Sequence, residues 1–523
     1  MASQPSMSAV CLPLGRYLDK IELARRRLIL KYKVARALRK AEQKFRKANP
    51  TYDETLRLDH IRQIDYPVLD KENRIYLDYA GSGIHGESQL QRHFELLRSN
   101  VFGNPHSINP TSSAITRLDE QARARVLSFF RADPAEYIVI FTINSSNALK
   151  LIGEAYPFAE GGELLLLNDN QHAVLGLRDF AKGRGAAVSY VPVKQPELRC
   201  DEAAVKSALA RKESSDDTPA RLFAYTAQSN FTGVQHPLEW VAAAQEQGWH
   251  VLLDADNYAP TNKLDLTRWH PDFVTVSFYK MFGHPSSVGA VLARREAFAK
   301  LGRPWFAGGT VWGSSVQANG HMLLADNEGF EDGTINFLSL PAIRIGLNHI
   351  AGIGMEAIHT RVSCLTKWLL NELHGLSHTN GEALVVVYGP QTTELPRGGT
   401  IALNFVDMKG CLINEATVAR RASAFNVSLH AGSVFQPGAG EAPVSDSDAS
   451  DAIQKTSVES VDESRMMEKR RESEASLSDI GLPNGGFVRI SLGLVSNFAD
   501  AFKFVQFAST FLNNVAVDDA LFP

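Results

Sequence analysis

Two apolar runs decide the fold: Val251-Leu252-Leu253-Asp254 and Val274-Thr275-Val276-Ser277-Phe278-Tyr279-Lys280. Each run predicts a buried strand that ends on an ionisable side chain. Two parallel neighbouring strands joined by a short crossover would bring Asp254 and Lys280 to one edge of a sheet. Taken alone, the pair leaves the function open, because a Lys after a strand is more often a solvated strand end and an Asp is more often a helix cap.

Further polar side chains follow other predicted strands. Ser145 and Ser146 open a helix after one strand, His172 follows the next strand, and Asn230 follows a third. The serines suit a phosphate cradle at a helix start but could equally be plain caps, and a lone His after a strand is more often structural. Ligands of open α/β sheets bind at the carboxyl ends of strands. Pyridoxal phosphate fits this set, because its aldehyde forms an imine with an amine and its protonated ring nitrogen pairs with a carboxylate.

From Tyr76 to about Pro304 the chain alternates strand-like and helix-like runs. The alternation predicts an α/β fold with a mainly parallel, seven-stranded sheet and helices on both faces. The predicted strands are Tyr137–Phe141, Glu163–Leu167, Ala187–Val193, Arg221–Tyr225, His250–Leu253, Phe273–Ser277 and Gly289–Ala293. The predicted helices are Ser146–Tyr156, Val174–Gly183 and Leu238–Gln247.

After Thr334 the pattern is mixed and predicts a smaller α+β domain. Segment 441–480 is acidic, rich in serine and without aromatic residues, so we expect a disordered insertion. The expected organisation is a basic N-terminal helix (1–50), a large domain (51–335) and a small domain (336–523) that the insertion interrupts. The predicted elements of the small domain are helices Leu340–Leu373, Ile413–Phe425 and Phe498–Phe511 and strands Ala383–Tyr388, Thr400–Asn404, Val427–Leu429 and Phe487–Ser491.

The composition is that of an ordinary globular protein, with 44% hydrophobic and 21% charged residues. The net charge of −4 gives no reason to expect nucleic acid as a partner. No apolar run reaches the roughly 18 residues of a membrane helix, and the start lacks the apolar core of a secretory signal. Cys11, Cys200, Cys364 and Cys411 show no pairing or metal-ligand spacing, so we expect reduced thiols in a cytoplasmic protein without a metal site.

The N-terminal segment is strongly basic. Between Arg16 and Lys47 there are 13 Lys or Arg and 3 Asp or Glu, and apolar residues recur at helical spacing. Such a helix can bind a membrane surface or a partner, but we favour a solvated helix packed on the main body. The acidic residues Asp19, Glu22 and Glu42 argue against a mitochondrial leader.

Six motifs together resemble the class V group of fold-type I pyridoxal phosphate enzymes, which contains aminotransferases and cysteine desulfurases. The chain is similar above all to the pyridoxal phosphate domain of molybdenum cofactor sulfurases, from roughly Leu56 to Phe511 outside the insertion. The motifs are Tyr76-Leu77-Asp78-Tyr79-Ala80-Gly81, Asn104-Pro105-His106-Ser107, Gln228-Ser229-Asn230-Phe231-Thr232-Gly233, Val251-Leu252-Leu253-Asp254-Ala255, Ser277-Phe278-Tyr279-Lys280-Met281-Phe282-Gly283 and Phe330-Glu331-Asp332-Gly333-Thr334-Ile335-Asn336-Phe337.

The resemblance implies roles around the cofactor ring. Lys280 would form the imine and later move the α-proton of the substrate. Asp254 would pair with the pyridinium nitrogen and keep the ring an electron sink. His172 would stack on the ring, and Asn230 would contact the ring oxygen.

The resemblance also implies phosphate and substrate contacts. Thr334 would reach the phosphate of the neighbouring subunit, which implies a homodimer. Arg489 would clamp the substrate carboxylate with a bidentate pair, a surface ion pair being the alternative. The residues expected to hold the phosphate within one subunit are Ser145, Ser146, Ser277 and Tyr279.

One loop departs from the family's pattern. Where desulfurases and cofactor sulfurases have approximately Arg-Thr-Gly, then one or two Cys and Pro, this chain has Leu429-His430-Ala431-Gly432-Ser433-Val434-Phe435-Gln436-Pro437-Gly438. Ser433 and Phe435 occupy the cysteine positions, and His430 replaces the Arg. A hydroxyl is a poor sulfur nucleophile and cannot carry a persulfide. The loop therefore argues against sulfur transfer.

Two further features support that interpretation. Cys411 precedes a predicted helix and is interpreted as a buried packing residue. The chain ends at Pro523, without the additional domain of full cofactor sulfurases, so molybdenum cofactor sulfuration is not the expected activity.

What remains is a cofactor site with a carboxylate clamp. We predict a lyase or transferase that acts at Cα or Cβ of an amino acid or its conjugate, with an amino-acid lyase preferred and specialised metabolism as its setting. The alternatives are an aminotransferase, a desulfurase- or sulfurase-like enzyme with another sulfur acceptor, and a non-catalytic scaffold of the same fold.

Overall fold

The computed structural model describes residues 32–105, 107–210, 219–302, 308–433 and 486–514. The expected insertion 441–480 and the first 31 residues lie outside the described residues. The strands are β1 (Ile75–Tyr76), β2 (Tyr137–Thr142), β3 (Glu163–Leu167), β4 (Ala187–Val191), β5 (Val193–Lys194), β6 (Arg199–Cys200), β7 (Arg221–Thr226), β8 (His250–Asp254), β9 (Phe273–Ser277), β10 (Gly289–Arg294), β11 (Val311–Ser315), β12 (Gly320–Leu323), β13 (Val385–Tyr388), β14 (Thr400–Phe405), β15 (Val427–Ser428), β16 (His430–Ser433) and β17 (Gly486–Ser491).

Helices cover both faces of the main sheet and connect its strands. The α-helices are residues 32–48, Arg57–Asp65, Pro67–Lys71, Glu87–Arg98, Pro110–Phe129, Ser145–Ala155, His172–Leu175, Leu177–Gly183, Glu202–Leu209, Trp240–Gln245, Phe278–Phe282, Arg295–Phe298, Leu340–Ile353, Met355–His374, Glu415–Ala424 and Phe498–Ser509. Two 3₁₀ helices, Pro50–Thr55 and Asp326–Gly329, complete the set among the described residues.

Seven strands form the central sheet in the order β2-β10-β9-β8-β7-β3-β4. The strands from β9 to β4 run parallel to one another, and β10 is antiparallel to both of its neighbours. The predicted seven-stranded, mainly parallel sheet is therefore confirmed. The strand predicted as Ala187–Val193 ends earlier, at Val191, because Pro192 has no NH to donate to a sheet ladder.

The strands divide their side chains between two cores, as the two-residue period of a strand requires. Leu164 and Leu166 of β3 belong to one core, whereas Leu165 and Leu167 belong to the larger core that extends into the C-terminal part. All four leucines are fully buried. Continuous apolar strands of this kind are typical of a parallel sheet that is covered on both faces.

The C-terminal part contains a second, antiparallel sheet in the order β13-β14-β17-β16, which confirms the expected α+β region. The helix predicted as Leu340–Leu373 is wrong in one respect, since it consists of two helices separated at Gly354. Gly354 has a φ of +89°, a backbone conformation that side chains with a Cβ rarely adopt. Val174–Gly183 is likewise divided, at Gly176.

The described part of the basic N-terminal segment is a helix whose end packs on the body of the protein. Phe45 is 1% exposed, and its ring lies 4.7 Å from that of Phe498 and 4.8 Å from that of Tyr52. The first turns, residues 32–37, are exposed. The interpretation that we favoured, a solvated helix packed on the main body, concerns the whole basic segment, of which residues 1–31 lie outside the described residues, so it stays a prediction.

None of the helices in the described ranges is both long and apolar enough to cross a bilayer.

Candidate active site

The ends of β8 and β9 bring Asp254 and Lys280 to the same edge of the central sheet. The two strands are parallel neighbours, with Asp254 paired to Thr275. Lys280 lies on the one-turn helix Phe278–Phe282 that directly follows β9. This helix ends at Gly283, which has a φ of +78° and approaches neighbouring backbone too closely to leave room for a Cβ. Asp254 is fully buried and Lys280 is 9% exposed.

A second carboxylate, Asp256, lies between these two residues and was missed by the sequence analysis. Its Oδ2 is 3.0 Å from Nζ of Lys280 and also accepts a hydrogen bond from the Ser145 hydroxyl. Its backbone NH donates to Oδ1 of Asp254 over 3.1 Å. The direct ion-pair partner of Lys280 is therefore Asp256, with Asp254 next to it. Strand β8 ends at Asp254 and Asp256 lies in the turn that follows, so the alternation of side chains along a strand carried no signal for it.

The charges at this edge shift the pKa values in opposite ways. Burial raises the pKa of Asp254 to about 7, the negative charge of Asp256 adds to the rise, and Lys280 opposes it. Burial alone would lower the pKa of Lys280, but the attraction of Asp256, with Tyr279 and Asp254, raises it above its ordinary value. An ammonium paired with a carboxylate is therefore the stable form of Lys280 beside Asp256.

Three of the predicted phosphate-holding residues, Ser145, Ser146 and Ser277, lie at the start of helix Ser145–Ala155. The helix is capped by Asn144, whose side chain accepts from the NH of Asn147 over 2.9 Å, so the alternative that the serines cap it is wrong. The NH of Ser145 donates to the Ser277 hydroxyl over 3.0 Å. Ser146 is exposed and Tyr279 is half-buried. A helix N-terminus with adjacent hydroxyls suits an anion, and the phosphate role of these residues stays a prediction.

His172 and its neighbour Gln171 lie where β3 gives way to helix His172–Leu175. Gln171 was not anticipated, and its side-chain amide donates to Oδ2 of Asp254. His172 is exposed over more than a third of its surface. The burial of the rest, together with the positive charge of Arg178, lowers its pKa. A neutral, flat imidazole is the form suited to stacking on a cofactor ring.

Arg489 of β17 lies at the junction with the second sheet and is 4% exposed, so it is not a surface residue. It donates to the backbone oxygen of Asn230 over 3.1 Å and to Oδ1 of Asp78 over 3.2 Å. His430 stands opposite Arg489 in the β16–β17 register, and its pKa is lowered by burial and by the charge of Arg489. Asp78 as the partner of Arg489 was missed by the sequence analysis.

Several buried polar atoms here have no hydrogen-bond partner among the described residues. They are Oδ1 of Asn230, Oδ1 of Asp256, both side-chain polar atoms of Asn257, and Nε of Arg489. Each such atom costs about 1–3 kcal/mol, so proteins rarely leave them unpaired. Asn257 and Lys280 line one small cavity of about 20 Å³. Pyridoxal phosphate and its substrate fit the two donors of this set, because the ring oxygen can accept from Nδ2 of Asn257 and a substrate carboxylate can accept from Nε of Arg489.

Thr334 lies in a different place from the Lys280 cluster. It lines a separate cavity of about 570 Å³ together with Asn147 and Lys150 of helix Ser145–Ala155. Its hydroxyl accepts from the side-chain amide of Asn104 over 3.3 Å. The contact of Thr334 with the phosphate of a partner subunit stays a prediction.

The structure corrects the prediction made for Cys411. Cys411 was expected to be buried, but it is exposed, because the turn after β14 directs it outward while its NH donates to Asp407 over 2.9 Å. The other end of β14, Thr400, lines the Lys280 cavity. Cys411 is thus separated from that cavity by a strand about 17 Å long at about 3.4 Å per residue. Ser433 ends β16, and Phe435 lies outside the described residues.

Comparison with known proteins gives the same assignment as the geometry. The family model described as Aminotransferase class-V matches residues 75–433. The molybdenum cofactor sulfurase of Arabidopsis thaliana is 32% identical over 487 residues, covering 86% of this chain and 57% of that protein. The Homo sapiens molybdenum cofactor sulfurase is 34% identical over 387 residues, covering 70% of this chain and 43% of that protein. The chain spans about half the length of these relatives.

Solved structures share the fold. The apo cysteine desulfurase of Thermococcus onnurineus NA1 aligns with a TM-score of 0.69 and 20% identity, over 87% of this chain and 98% of that one. The cystine C–S lyase C-DES, in complex with its product cysteine persulfide, aligns with a TM-score of 0.62 and 16% identity, over 85% and 99%. The chain belongs to the class V aminotransferase family, and this membership indicates a pyridoxal-phosphate-dependent enzyme.

Proposed function

We propose that this chain is a lyase or transferase that uses pyridoxal phosphate at Cα or Cβ of an amino acid or an amino-acid conjugate, with amino-acid lyase as its main activity. Specialised metabolism is the setting that we favour. The observation that carries the proposal is that Lys280 and Asp254 are buried at one edge of the sheet, while the buried Arg489 donates to the backbone oxygen of Asn230, which follows β7, the neighbour of β8.

Each of these residues has a task in such a reaction. The bound cofactor supplies an electron sink for the bond that breaks at Cα. Asp254 pairs with the ring nitrogen, and a positive ring would favour the ionised carboxylate whose pKa burial raises to about 7. Lys280 gives and takes the proton at Cα. Arg489 binds the substrate carboxylate with two donors, Nε and Nη2. Nη2 donates to Asp78 in this structure, and it exchanges that hydrogen bond for one to the substrate.

The substrate side favours elimination over sulfur transfer. A desulfurase needs a thiol that reaches the substrate sulfur, and Ser433 takes that loop position here. Cys411 is separated from the Lys280 cavity by the length of β14. The cystine C–S lyase C-DES has the same fold, so this scaffold accommodates lyase chemistry.

We also propose a cytoplasmic homodimer. Val101, Ile108, Trp312 and Val316 are between 76% and 98% exposed, and large apolar side chains at that exposure favour a covering partner. Asn104 lies between Val101 and Ile108 in the chain, and its side-chain amide donates to Thr334, the residue expected to reach the phosphate of the neighbouring subunit. Cys200, Cys364 and Cys411 are free thiols, as reducing compartments favour. Light scattering on the purified protein should give twice the chain mass of 57.4 kDa.

The test of the activity is a panel of amino acids, each incubated with the purified protein and pyridoxal phosphate. A lyase releases a 2-oxo acid and ammonia in equal amounts with the leaving group; with L-cysteine these are pyruvate, ammonia and hydrogen sulfide. A desulfurase releases alanine instead, and an aminotransferase consumes a second 2-oxo acid without net ammonia. Alanine as the main product, or no turnover with any member of the panel, would overturn the lyase proposal.

A further inference from the structure

Asp256 contacts two side chains, those of Lys280 and Ser145, that the proposed cofactor must bind. Its Oδ2 is 3.0 Å from Nζ of Lys280 and accepts from the hydroxyl of Ser145. Lys280 is expected to bond to the cofactor aldehyde, and Ser145 is expected to hold the cofactor phosphate. Asp256 is 2% exposed, and its second oxygen has no hydrogen-bond partner among the described residues.

The pairing restrains the reactivity of Lys280. An amine attacks an aldehyde only in its neutral form, and a carboxylate at ion-pair distance favours the ammonium form. Asp256, Tyr279 and Asp254 raise the pKa of Lys280, and the attraction of Asp256 is the largest of these three effects. Tyr79 is a further ionisable residue that lines the cavity with Lys280. Asp256 therefore reduces the fraction of Lys280 that can react.

The same carboxylate acts against phosphate binding. A hydroxyl has one proton to donate, so Ser145 cannot donate to Asp256 and to a phosphate with the same hydrogen. A buried carboxylate next to a phosphate site also repels the incoming dianion. Both effects are removed when Asp256 gives up its contacts with Lys280 and Ser145.

We propose that Asp256 is a resident counter-ion that controls cofactor loading, holding Lys280 and Ser145 in the cofactor-free protein until the cofactor displaces it from both. This inference rests on the proposed function. In the loading step the ammonium of Lys280 first loses a proton to solvent. Its nitrogen would then bond to the aldehyde carbon of the cofactor while the carbon–oxygen bond breaks, and the oxygen would leave as water with the two remaining protons of the amine. Asp256 thereby sets the rate of loading and its dependence on pH.

The experiment mixes cofactor-free protein with pyridoxal phosphate and follows the visible absorbance between pH 6 and pH 9. Asp256→Asn removes the charge, and Asp256→Ala is a second variant should the first fail to fold. Either variant should load about tenfold faster than the wild type throughout this pH range, because loss of the Asp256 charge increases the fraction of Lys280 that is a neutral amine.

The matched control is Asp272→Asn. Asp272 is also a buried carboxylate, but it precedes β9 at the opposite end from Lys280 and accepts from the NH of Val251 over 2.8 Å. Its loading rate should match that of the wild type at every pH measured. Equal or slower loading of the Asp256 variants, with the visible band present in every protein, would overturn the role of Asp256 alone. Absence of the band from every protein, including the wild type, would overturn the proposed function together with this inference.

Discussion

The two sides of the site differ in how completely they match the chemistry expected of them. On the cofactor side, Lys280, Asp254 and the start of helix Ser145–Ala155 meet at the carboxyl ends of parallel strands. On the substrate side, Arg489 is present and buried, but the loop that follows His430 has Ser433 in place of a thiol. Under the proposed function, activation of Cα and handling of the group that leaves Cβ are separate parts of this fold, and the departure from the family's pattern lies in the second part.

The largest effect should come from the cofactor side. Asp254→Asn removes the charge that stabilises the protonated ring nitrogen, so exchange of the Cα proton for deuterium should fall about 100- to 1,000-fold, as when other preorganised electrostatic groups are removed. Proton NMR of an amino acid from the panel measures this exchange. Asp407→Asn, a buried carboxylate in the turn after β14, serves as the control and should exchange at the wild-type rate. Equal rates of proton exchange for Asp254→Asn and Asp407→Asn would contradict the role proposed for Asp254 at the cofactor.

On the substrate side, Arg489→Lys should raise KM far more than it lowers kcat. A lysine cannot make the bidentate contact, and loss of such a pair costs about 2 kcal/mol or about 30-fold. Steady-state kinetics with the best amino acid of the panel separates the two constants. Arg397→Lys is the matched control, because Arg397 is a buried arginine in the same part of the chain that donates to the backbone oxygen of Thr232 over 3.1 Å. A KM change in Arg397→Lys equal to that in Arg489→Lys would contradict a specific clamp.

The departing loop can be tested by restoring its thiol. After incubation with L-cysteine, Ser433→Cys should acquire protein-bound persulfide, up to one sulfur per chain, whereas the wild type should acquire none at this loop. Intact-protein mass spectrometry before and after reduction measures the added sulfur. Ser433→Ala lacks a thiol and controls for nonspecific sulfuration. Persulfide at an existing cysteine of the wild-type protein would show that sulfur transfer persists by another route.

The smallest expected effect is on stability and concerns Asp119, a buried carboxylate on helix Pro110–Phe129. Its titration affects the stability of the fold rather than the chemistry of the site. Burial raises its pKa from 3.8 to about 8, and neither oxygen has a hydrogen-bond partner among the described residues. The folded protein therefore binds this proton more tightly than the unfolded chain, so stability present below pH 3.8 is lost as the pH rises to about 8.

Thermal melting at pH 6 and pH 9 tests this prediction. The melting temperature of the wild type should fall more between these two pH values than that of Asp119→Asn, by a few degrees. Asp265→Asn, at an exposed ion pair with Arg131, is the control and should follow the wild type. Parallel behaviour of wild type and Asp119→Asn would show that Asp119 titrates at its ordinary pH.

Features that depend on a short stretch of sequence could be predicted, whereas contacts between distant parts of the chain could not. The seven strands were predictable because apolar runs such as Leu164–Leu167 are short, continuous and bounded by turns. Lys280 and Asp254 were predictable because parallel neighbours share an edge. The pair of Arg489 with Asp78 was not, because those residues are 411 positions apart and only the packing of two sheets joins them. Cys411 was misjudged because its exposure depends on a turn hydrogen bond to Asp407.

The central claim is that Lys280 holds pyridoxal phosphate covalently, with Asp254 at the ring nitrogen. The most direct measurement is borohydride reduction of the cofactor-loaded protein, followed by proteolysis and mass spectrometry of the lysine-containing peptides. The account predicts a phosphopyridoxyl group on the peptide that contains Lys280, and its loss from that peptide in Lys280→Ala. A protein that takes up no cofactor, or a label confined to other lysines, would contradict it.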